Sequence, residues 1–298
     1  MSVSSGGFNS GFIFGSLIGG DGFETGFVRE SATGGGPPEP TFQPTDLGVA
    51  VELWLDAQDV STLFTDSTEA TPSANGANVG RWKDKSGKNR HADKTNIGVN
   101  HPVRNDNGIN GHKAVNFDTG VIVPGLSSPF AASNPTATQV PGGSQFEVWA
   151  VYTSSNAVSY VVTNDNGSFS NYWTIWTNSN AGAFVAGHHM YVTMPSGVSD
   201  AGYSTTLGPM VIVRGIMDST LTSNCTAITV NGVAGVSTAG YNSNLNSGTT
   251  ETRSIYVGAD IVGAYPNKGA IGELVYVSRL LTPSEATQMN DYLTNKWS

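Results

Sequence analysis

The sequence is poor in charge and cysteine and has no long hydrophobic run. Charged residues make up 12% of the 298 residues, and Cys225 is the only cysteine, so no disulfide can form within the chain. The most apolar N-terminal segment, Gly11–Gly20, is too short and too rich in glycine to cross a bilayer. No basic residue precedes Arg29, which excludes a typical signal peptide. These absences predict a soluble chain without a cleaved leader or a membrane contact.

Basic residues are scarce except in one stretch. The net charge is −9, and residues 1–80 carry one base against ten acids. Residues 81–94 reverse this balance with six bases against two acids. An acidic protein cannot neutralise many phosphates, so we expect no nucleic-acid binding. The basic stretch is interpreted as a solvated loop, with contact to an acidic partner as the alternative.

Motifs for catalysis are also missing. There is no G-x-S-x-G turn and no glycine-rich phosphate loop that opens a helix. His188 and His189 are adjacent, so on a strand they face opposite sides and cannot share one zinc ion. Glycan hydrolysis needs two carboxyl groups, whereas Glu147 and Glu273 each stand alone on their predicted strands. We expect Glu273 to bond backbone or a hydroxyl at a sheet margin, and we predict no enzymatic activity.

Residues 1–45 form a predicted N-terminal arm. Eleven of the 37 glycines lie in the first 36 residues, and the prolines of "PPEP" follow. Such sequence loses much entropy on ordering and builds no core of its own. "GFNSGF" at residue 7 recurs as "GFETGF" at residue 22. We interpret the arm as a segment that orders on a partner through its aromatic rings, with a disordered leader as the alternative; the rings are Phe8, Phe12, Phe14, Phe23 and Phe27.

Residues 46–298 read as one domain of many short strands. "GVAVELWLDA" alternates, with Val49, Val51, Leu53 and Leu55 predicted on one face. "QFEVWAVYT" alternates in the same way. One face of this predicted strand carries Glu147, Trp149 and Val151, and the other carries Phe146, Val148, Ala150 and Tyr152. Asn231-Gly232 is a strong hairpin signal, because both turn positions need positive φ. Strands without helices between them predict an all-β antiparallel sandwich or barrel.

The chain is predicted to end on a capped helix. Thr282 can cap it, Pro283 suits its first position, and Glu285 completes a T-x-x-E capping box. A stripe of apolar residues follows at helical spacing, formed by Ala286, Met289, Leu293 and Trp297. We expect this helix to bury its stripe against the sandwich flank and to cover an open sheet edge.

Four segments occur in this order along the chain: "LWLDAQDVSTLF" (Leu53–Phe64), "VGRWKDKSGKNRHA" (Val79–Ala92), "INGHKAVNFD" (Ile109–Asp118) and "IGELVYVSRLLTPSEATQMNDYLTNKW" (Ile271–Trp297). Together they resemble the concanavalin A-like lectin/glucanase superfamily, in its laminin-G-like branch found in bacterial surface and phage virion proteins. The resemblance covers residues 47–298. It implies a jelly roll of two antiparallel sheets packed face to face. This scaffold carries lectins, hydrolases and structural modules, so it does not fix the function.

The resemblance leaves one cofactor open, since relatives often hold calcium near the sheet rim. Candidate oxygen ligands are on Asp56, Asp59, Asp84 and Asp165, the last within "TNDNGS". The later glutamate of a tight calcium loop is missing, and turn formation explains these residues as well. No other cofactor is expected.

Sugar binding is the remaining option for a small ligand. In "SNYWTIWTN", Tyr172 and Trp176 share one predicted strand face and Trp173 takes the other. One set belongs to the core, and the other is a candidate for a glycan groove with His188 or Tyr191. The alternative is that both sets pack within sheet layers.

Two functions remain open. The first is a structural virion protein, a phage head-decoration or fibre-like subunit. Its arm would bind capsid or tail proteins, and it would adhere weakly to glycans at the virion surface. The second is a carbohydrate-binding module of a bacterial surface or secreted protein. The arm and the missing catalytic groups favour the first, and a homo-oligomer is expected for it.

Overall fold

The computed structural model describes residues 42–94, 101–117, 130–131, 139–140, 143–155, 158–164, 171–178, 186–242, 244–245, 250, 253–259 and 266–298. The five phenylalanines of the predicted arm lie outside the described residues, as does Asp165. No helix within these ranges is long and apolar enough to cross a membrane.

Short strands dominate the structure. In chain order they are β1 (Val51–Asp56), β2 (Leu63–Phe64), β3 (Arg81–Trp82), β4 (Ala92–Asp93), β5 (Val103–Ile109), β6 (His112–Asn116), β7 (Phe130–Ala131), β8 (Gln139–Val140), β9 (Gln145–Tyr152), β10 (Val158–Thr163), β11 (Tyr172–Asn178), β12 (Gly187–Met194), β13 (Gly197–Ser204), β14 (Val211–Asp218), β15 (Thr226–Val230), β16 (Val233–Ala234), β17 (Val236–Asn242), β18 (Arg253–Ser254), β19 (Tyr256–Val257) and β20 (Ala270–Val277). Two 3₁₀ helices, Pro44–Ala50 and Val60–Thr62, and one α-helix, α1 (Pro283–Trp297), complete the described elements.

The strands form two large antiparallel sheets. The smaller has the order β16-β15-β14-β9-β20-β6-β5, and β1 also pairs with β20. The larger has the order β17-β13-β12-β11-β10-β19-β7-β4-β3-β2, and a separate ladder joins β18 to β8. The predicted all-β antiparallel sandwich is therefore confirmed.

The main core lies between the two sheets. On β9, Phe146, Val148, Ala150 and Tyr152 belong to this core and are fully buried. The intervening Trp149 and Val151 belong to a second core on the outer side of the smaller sheet. The two faces predicted for this strand are both confirmed. Alternate side chains of β9 enter the two cores, so both faces of this strand are buried.

The first strand begins later than the sequence pattern predicts. Residues Pro44–Ala50 form a 3₁₀ helix that contains Val49, whose side chain is 83% exposed. The pairing of β1 with β20 shifts between Val51 and Leu53. Val51 consequently packs in the outer core, while Leu53 and Leu55 pack between the sheets. The prediction that all four residues share one face was wrong, because an irregularity reverses the alternation.

The C-terminal helix forms as predicted. The Thr282 side chain accepts from the Glu285 backbone N–H, and the Glu285 carboxylate accepts from the Thr282 backbone N–H. The predicted stripe is buried and packs in the outer core with Trp54, Trp149 and Val275. These partners lie on β1, β9 and β20, and the last two are interior strands of the smaller sheet. The helix therefore covers a face of the smaller sheet. The prediction that it covers an open sheet edge was wrong.

The basic stretch is paired within the molecule. The Arg81 guanidinium contacts Asp93 at 2.6 Å and Glu69 at 2.8 Å. Arg90 contacts Glu52 at 2.6 Å. The acids of the earlier segment thus neutralise the bases of the later one, and the solvated-loop interpretation was wrong for these arginines.

Candidate functional site

The outer face of the larger sheet carries a cluster of aromatic side chains. On β11, Trp173 and Ile175 enter the core between the sheets. The alternation of a strand therefore turns Tyr172, Thr174 and Trp176 to the opposite, outer face. This is the division that the sequence predicts, and the structure assigns which set is core.

Strand pairing adds residues from β12 and β13 to the same face. Tyr191 on β12 pairs with Thr174 on the neighbouring β11 and with Asp200 on the neighbouring β13. His189 lies opposite Trp176. We call the set Tyr160, Tyr172, Trp176, His189, Tyr191 and Asp200 the aromatic face; Tyr160 joins it from β10, directly across from Trp176.

Ring contacts hold the aromatic face together. The rings of Trp176 and His189 have centroids 4.8 Å apart at 34°. Those of Tyr172 and Tyr191 are 5.8 Å apart at 39°. Trp176, Tyr191 and Tyr160 are half-buried, so parts of their rings are accessible. Fixed rings with accessible surface can stack on an apolar ligand face at little cost in side-chain entropy.

Asp200 is the charged group of this face. It is fully buried, and its Oδ2 lies 3.0 Å from His189 Nδ1 and also accepts from the Thr238 hydroxyl. Its Oδ1 has no hydrogen-bond partner among the described residues. A buried carboxylate oxygen without a donor is unfavourable, by about 1–3 kcal/mol or more for a charged group. Because this oxygen is buried, a ligand O–H or N–H could reach it only after neighbouring side chains have moved.

Two residues that the sequence predicts for glycan binding lie on the core side instead. Trp173 is fully buried, and its ring packs 5.4 Å from Phe146 and 5.6 Å from Tyr276. His188 is 1% exposed and shares a 2.5 Å hydrogen bond with the Tyr152 hydroxyl. Neither can stack on a ligand at the outer face. Burial, with a smaller contribution from His189, lowers the pKa of His188 to about 4.

Sequence reasoning missed His189, Asp200 and Tyr160. The alternation along β12 separates His189 from His188, but it does not say which histidine faces outward. Asp200 reaches the face only through the pairing of β12 with β13. A tight turn at Pro195 and Ser196 between two alternating runs could have signalled this hairpin.

The carboxylates proposed for calcium have other partners. Asp56 lies 2.9 Å from Lys85 Nζ and 2.8 Å from Lys296 Nζ. Asp59 lies 2.9 Å from the same Lys85 ammonium. These ammonium groups already supply the positive charge that a calcium ion would bring.

Asp84 is occupied by backbone groups. Its carboxylate accepts from the N–H groups of Trp54 at 2.9 Å, Ser86 at 2.8 Å and Arg90 at 2.9 Å. It therefore closes its own loop and ties that loop to β1. Across the part of the chain that the structure describes, no three His, Cys, Asp or Glu side chains are grouped to hold a metal ion.

The two acids considered for catalysis serve the contact between α1 and the smaller sheet. Glu273 is 1% exposed and accepts from the indoles of Trp54 at 2.7 Å and Trp297 at 2.8 Å. It also accepts from the Tyr292 hydroxyl at 2.8 Å and contacts Lys296 Nζ at 2.7 Å. Glu147 accepts from the Leu281 backbone N–H just before the helix, at 2.8 Å. The expected hydroxyl partner of Glu273 is thus present as the Tyr292 phenol, and two indoles and an ammonium join it in place of backbone groups.

The aromatic face itself carries a single acid among its described strands. Within β10, β11, β12 and β13, Asp200 is the only Asp or Glu. Glycoside hydrolysis by the usual route requires a second carboxyl group across the scissile bond. The described strands of this face therefore do not pair two carboxylates.

Comparison with known proteins gives similarity in fold. No protein-family model and no curated protein matches the chain. A GH54 α-L-arabinofuranosidase soaked with a cyclic sulfate inhibitor has a TM-score of 0.53 at 13% identity, covering 86% of this chain and 66% of that chain. Domain 4 of AbnA, a GH43 extracellular arabinanase from Geobacillus stearothermophilus in complex with arabinotriose, has a TM-score of 0.46 at 15% identity, covering 81% and 97%.

A third similar structure is a Trypanosoma rangeli sialidase in complex with the inhibitor DANA. Its TM-score is 0.45 at 15% identity, and the match covers 80% of this chain but 32% of the sialidase. The chain thus spans about a third of that protein. At such identities the likeness concerns the fold alone, and the arabinofuranosidase match agrees with the antiparallel β-sandwich described above.

Proposed function

We propose that this chain is a carbohydrate-binding protein without catalytic activity, and that it holds its glycan on the aromatic face of the larger sheet. The observation that carries the proposal is the set of ring contacts that fixes the half-buried Trp176 and Tyr191 on one sheet face, beside the buried Asp200. A sugar has an apolar ring face and a rim of hydroxyl groups. Trp176 or Tyr191 would stack on the first, and Asp200 would accept from the second after a side-chain rearrangement that exposes its Oδ1.

The neighbouring structures guide the choice of sugars to try. Domain 4 of the arabinanase is in complex with arabinotriose, and a Ruminococcus gnavus sialidase module is bound to α2,3-sialyllactose. We would therefore begin with arabinotriose, sialyllactose and cellotriose, and then screen a glycan array with the full chain. We expect binding to at least one glycan in this set.

Substitutions then locate the site. Trp176→Ala removes the ring, and Asp200→Asn removes the charged acceptor with little change of shape. Each should weaken binding at least tenfold, which is about 1.4 kcal/mol, in isothermal titration calorimetry. Phe64→Ala is the matched control, since it removes another half-buried ring from β2 at the far end of the same sheet. Equal affinity of Trp176→Ala and the wild type, with circular dichroism unchanged, would contradict the assignment.

The absence of catalysis is tested separately. The chain is incubated with each glycan that it binds, and the appearance of new reducing ends is followed over a day. We expect none above the rate in buffer. Release of shorter sugars that Asp200→Asn abolishes would make the protein a hydrolase.

A second candidate function is attachment to a virion, and one sequence observation favours it. The Gly-Phe motif at residue 7 recurs at residue 22, which suits an arm that binds a repeated partner surface. The comparisons named above lend this role no support. Deletion of residues 1–41 should abolish incorporation into particles if the arm is the anchor. Full incorporation of the truncated chain would show that the arm is not the anchor. Absence of the full chain from particles would remove this candidate, and the proposed localisation would then be extracellular or at a bacterial cell surface.

A further inference from the structure

A groove of about 410 Å³ lies between α1 and the outer face of the smaller sheet. Its lining includes Trp149 from β9, Arg214 from β14 and Thr229 from β15, which are direct neighbours across the sheet. The helix side contributes Ala286 and Asn290. The aromatic face belongs to the other sheet of the sandwich, so the two places are separate. The volume falls within the usual range for small-molecule sites.

Arg214 gives the groove a fixed donor. Its Nε and Nη2 donate to the two carboxylate oxygens of Glu147 at 2.9 and 2.6 Å, and Glu147 is fully buried. The guanidinium lies 5.3 Å from the Trp149 ring centre. Trp149 Nε1 also donates to Glu147, at 3.0 Å. Arg214 is thereby held in one orientation, and its Nη1 makes no hydrogen bond with the described residues.

Two further polar side chains in the groove have unused hydrogen-bonding capacity. The Thr229 hydroxyl and the Asn290 amide make no side-chain hydrogen bond within the described ranges, and both residues are half-buried. Leu281 and Ala286 add buried apolar surface between them. Donors, acceptors and an apolar wall therefore meet in one cleft. Such a lining matches a ligand with an apolar face and several hydroxyl groups.

The charges of the side chains in and near the groove indicate which class of ligand fits it. Arg214 is neutralised by Glu147, and Arg279 near the start of α1 is neutralised by Glu285 at 2.6 Å. The groove thus presents hydrogen-bonding groups with little net charge. A neutral ligand suits this better than an anion, which would need an uncompensated cation.

We propose that this groove is a second binding site for a neutral sugar unit, separate from the aromatic face. Arg214 Nη1 donates to a hydroxyl oxygen, Asn290 and Thr229 bond adjacent hydroxyls, and the ring lies against the apolar wall. The choice of sugar rests on the function proposed above. With sites on two different sheets, one chain can bind two glycan strands at once, which raises avidity and cross-links the polymer.

The test uses nuclear magnetic resonance of the full chain, because it reports on the two sites independently. Arabinotriose, cellotriose and maltotriose are each added at millimolar concentration to ¹⁵N-labelled protein. We expect the Arg214 Nε–H and Asn290 side-chain amide signals to shift with at least one of them. In Trp176→Ala the same groove signals should still shift, because the aromatic face is not involved.

Variants in the groove separate binding from folding. The double variant Thr229→Val with Asn290→Ala leaves Glu147 and its partners intact, and should lose at least tenfold in affinity as read from the Arg214 signal. Gln288→Ala is the matched control, an exposed residue of α1 that does not line the groove. An unchanged response in the double variant would overturn the proposal.

The remaining outcomes distinguish the two sites. Shifts of the Trp176 indole signal alone, with the groove signals unmoved by all three sugars, would refute the groove and keep the aromatic face. Shifts of the groove signals alone would refute the aromatic face as the site for these sugars. An absence of shifts at both would refute both for neutral sugars.

Discussion

At the residue scale, two adjacent histidines have opposite surroundings. His188 points between the sheets, where its Nδ1 bonds the Tyr152 hydroxyl and its Nε2 has no partner among the described residues. His189 points to the aromatic face and contacts Asp200. The strand alternation alone produces this difference. One histidine is consequently surrounded by the core, and the other contacts the acid of the aromatic face.

The buried histidine makes stability depend on pH. The pKa of His188 is lowered to about 4, against 6.5 in the unfolded chain. Between these values the unfolded chain binds a proton that the folded chain does not, so acidification favours unfolding. Stability from this source is full above pH 6.5 and falls as the pH drops to 4. The loss reaches about 3 kcal/mol, since each pH unit in this window is worth about 1.4 kcal/mol.

We predict that His188→Gln removes this part of the pH dependence. Urea denaturation at about pH 7 and about pH 4.5, on either side of the unfolded pKa, provides the measurement, and the difference between the two should shrink in the variant. Tyr152→Phe is the control, because it deletes the hydrogen bond but keeps the titrating ring; its pH dependence should persist at lower overall stability. Identical pH dependence in wild type and His188→Gln would show that other groups control it.

At the element scale, Glu273 fastens α1 to the smaller sheet. Its carboxylate collects donors from β1 and from the last two turns of the helix. Removal of this acceptor would leave two buried indoles and a buried phenol without it, while the Lys296 ammonium would keep Asp56 at 2.8 Å. The cost of such a broken buried network is several kcal/mol.

We predict that Glu273→Leu destabilises the chain by about 3–5 kcal/mol. Chemical denaturation followed by tryptophan fluorescence measures it, since Trp54 and Trp297 both contact the carboxylate. Thr282→Ala, which removes the helix cap at the exposed end, should cost only about 1 kcal/mol. A smaller loss for Glu273→Leu than for Thr282→Ala would mean that packing alone holds the helix.

Local signals decided which elements the sequence could predict. The T-x-x-E box and the apolar stripe specify α1, and Asn231-Gly232 specifies the turn between β15 and β16, where both residues have positive φ. The 3₁₀ helix before β1 was not predicted, because Val49 continues the alternating pattern of the strand in sequence. The backbone at Val49 is nevertheless part of the 3₁₀ helix. The pairing irregularity at Val51 has no sequence signal either.

The candidate site was predictable only in part for the same reason. Alternation along β11 places Tyr172 and Trp176 together, and that much follows from one strand. Which face is core depends on what packs against the sheet, so the sequence alone does not exclude Trp173 as a candidate. His189 and Asp200 come together through the register of the β12–β13 hairpin, which the periodicity of a single strand does not contain.

At the scale of the whole molecule, charge is balanced between distant segments. The acids of the first 80 residues and the bases of residues 81–94 pair in space: Glu52 with Arg90, and Asp56 with Lys85. The local excess of either sign in the sequence therefore does not describe the surface. A contact for an acidic partner at this stretch would have to displace these internal ion pairs.

The body of the fold should not depend on the first 41 residues. Among the described residues, the first strand of the smaller sheet begins at Val51 and that of the larger sheet at Leu63, and Thr41–Ser298 forms one compact unit. Phe42, whose ring lies 6.3 Å from that of Tyr292, is retained when the chain starts there. We predict that deletion of residues 1–41 shifts the thermal unfolding midpoint by no more than about 2 °C, because less than about 1 kcal/mol is lost.

Differential scanning calorimetry of the full and truncated chains tests this prediction, and titration with the best glycan from the array should give equal affinities. The control is deletion of residues 1–50, which also removes the 3₁₀ helix with buried Leu47 and Ala50. That longer deletion should lower the midpoint clearly, since it strips part of the outer core. If the shorter deletion already lowers the midpoint as much, the Gly-Phe segment contributes to the fold, and its role as an arm reserved for a partner must be abandoned.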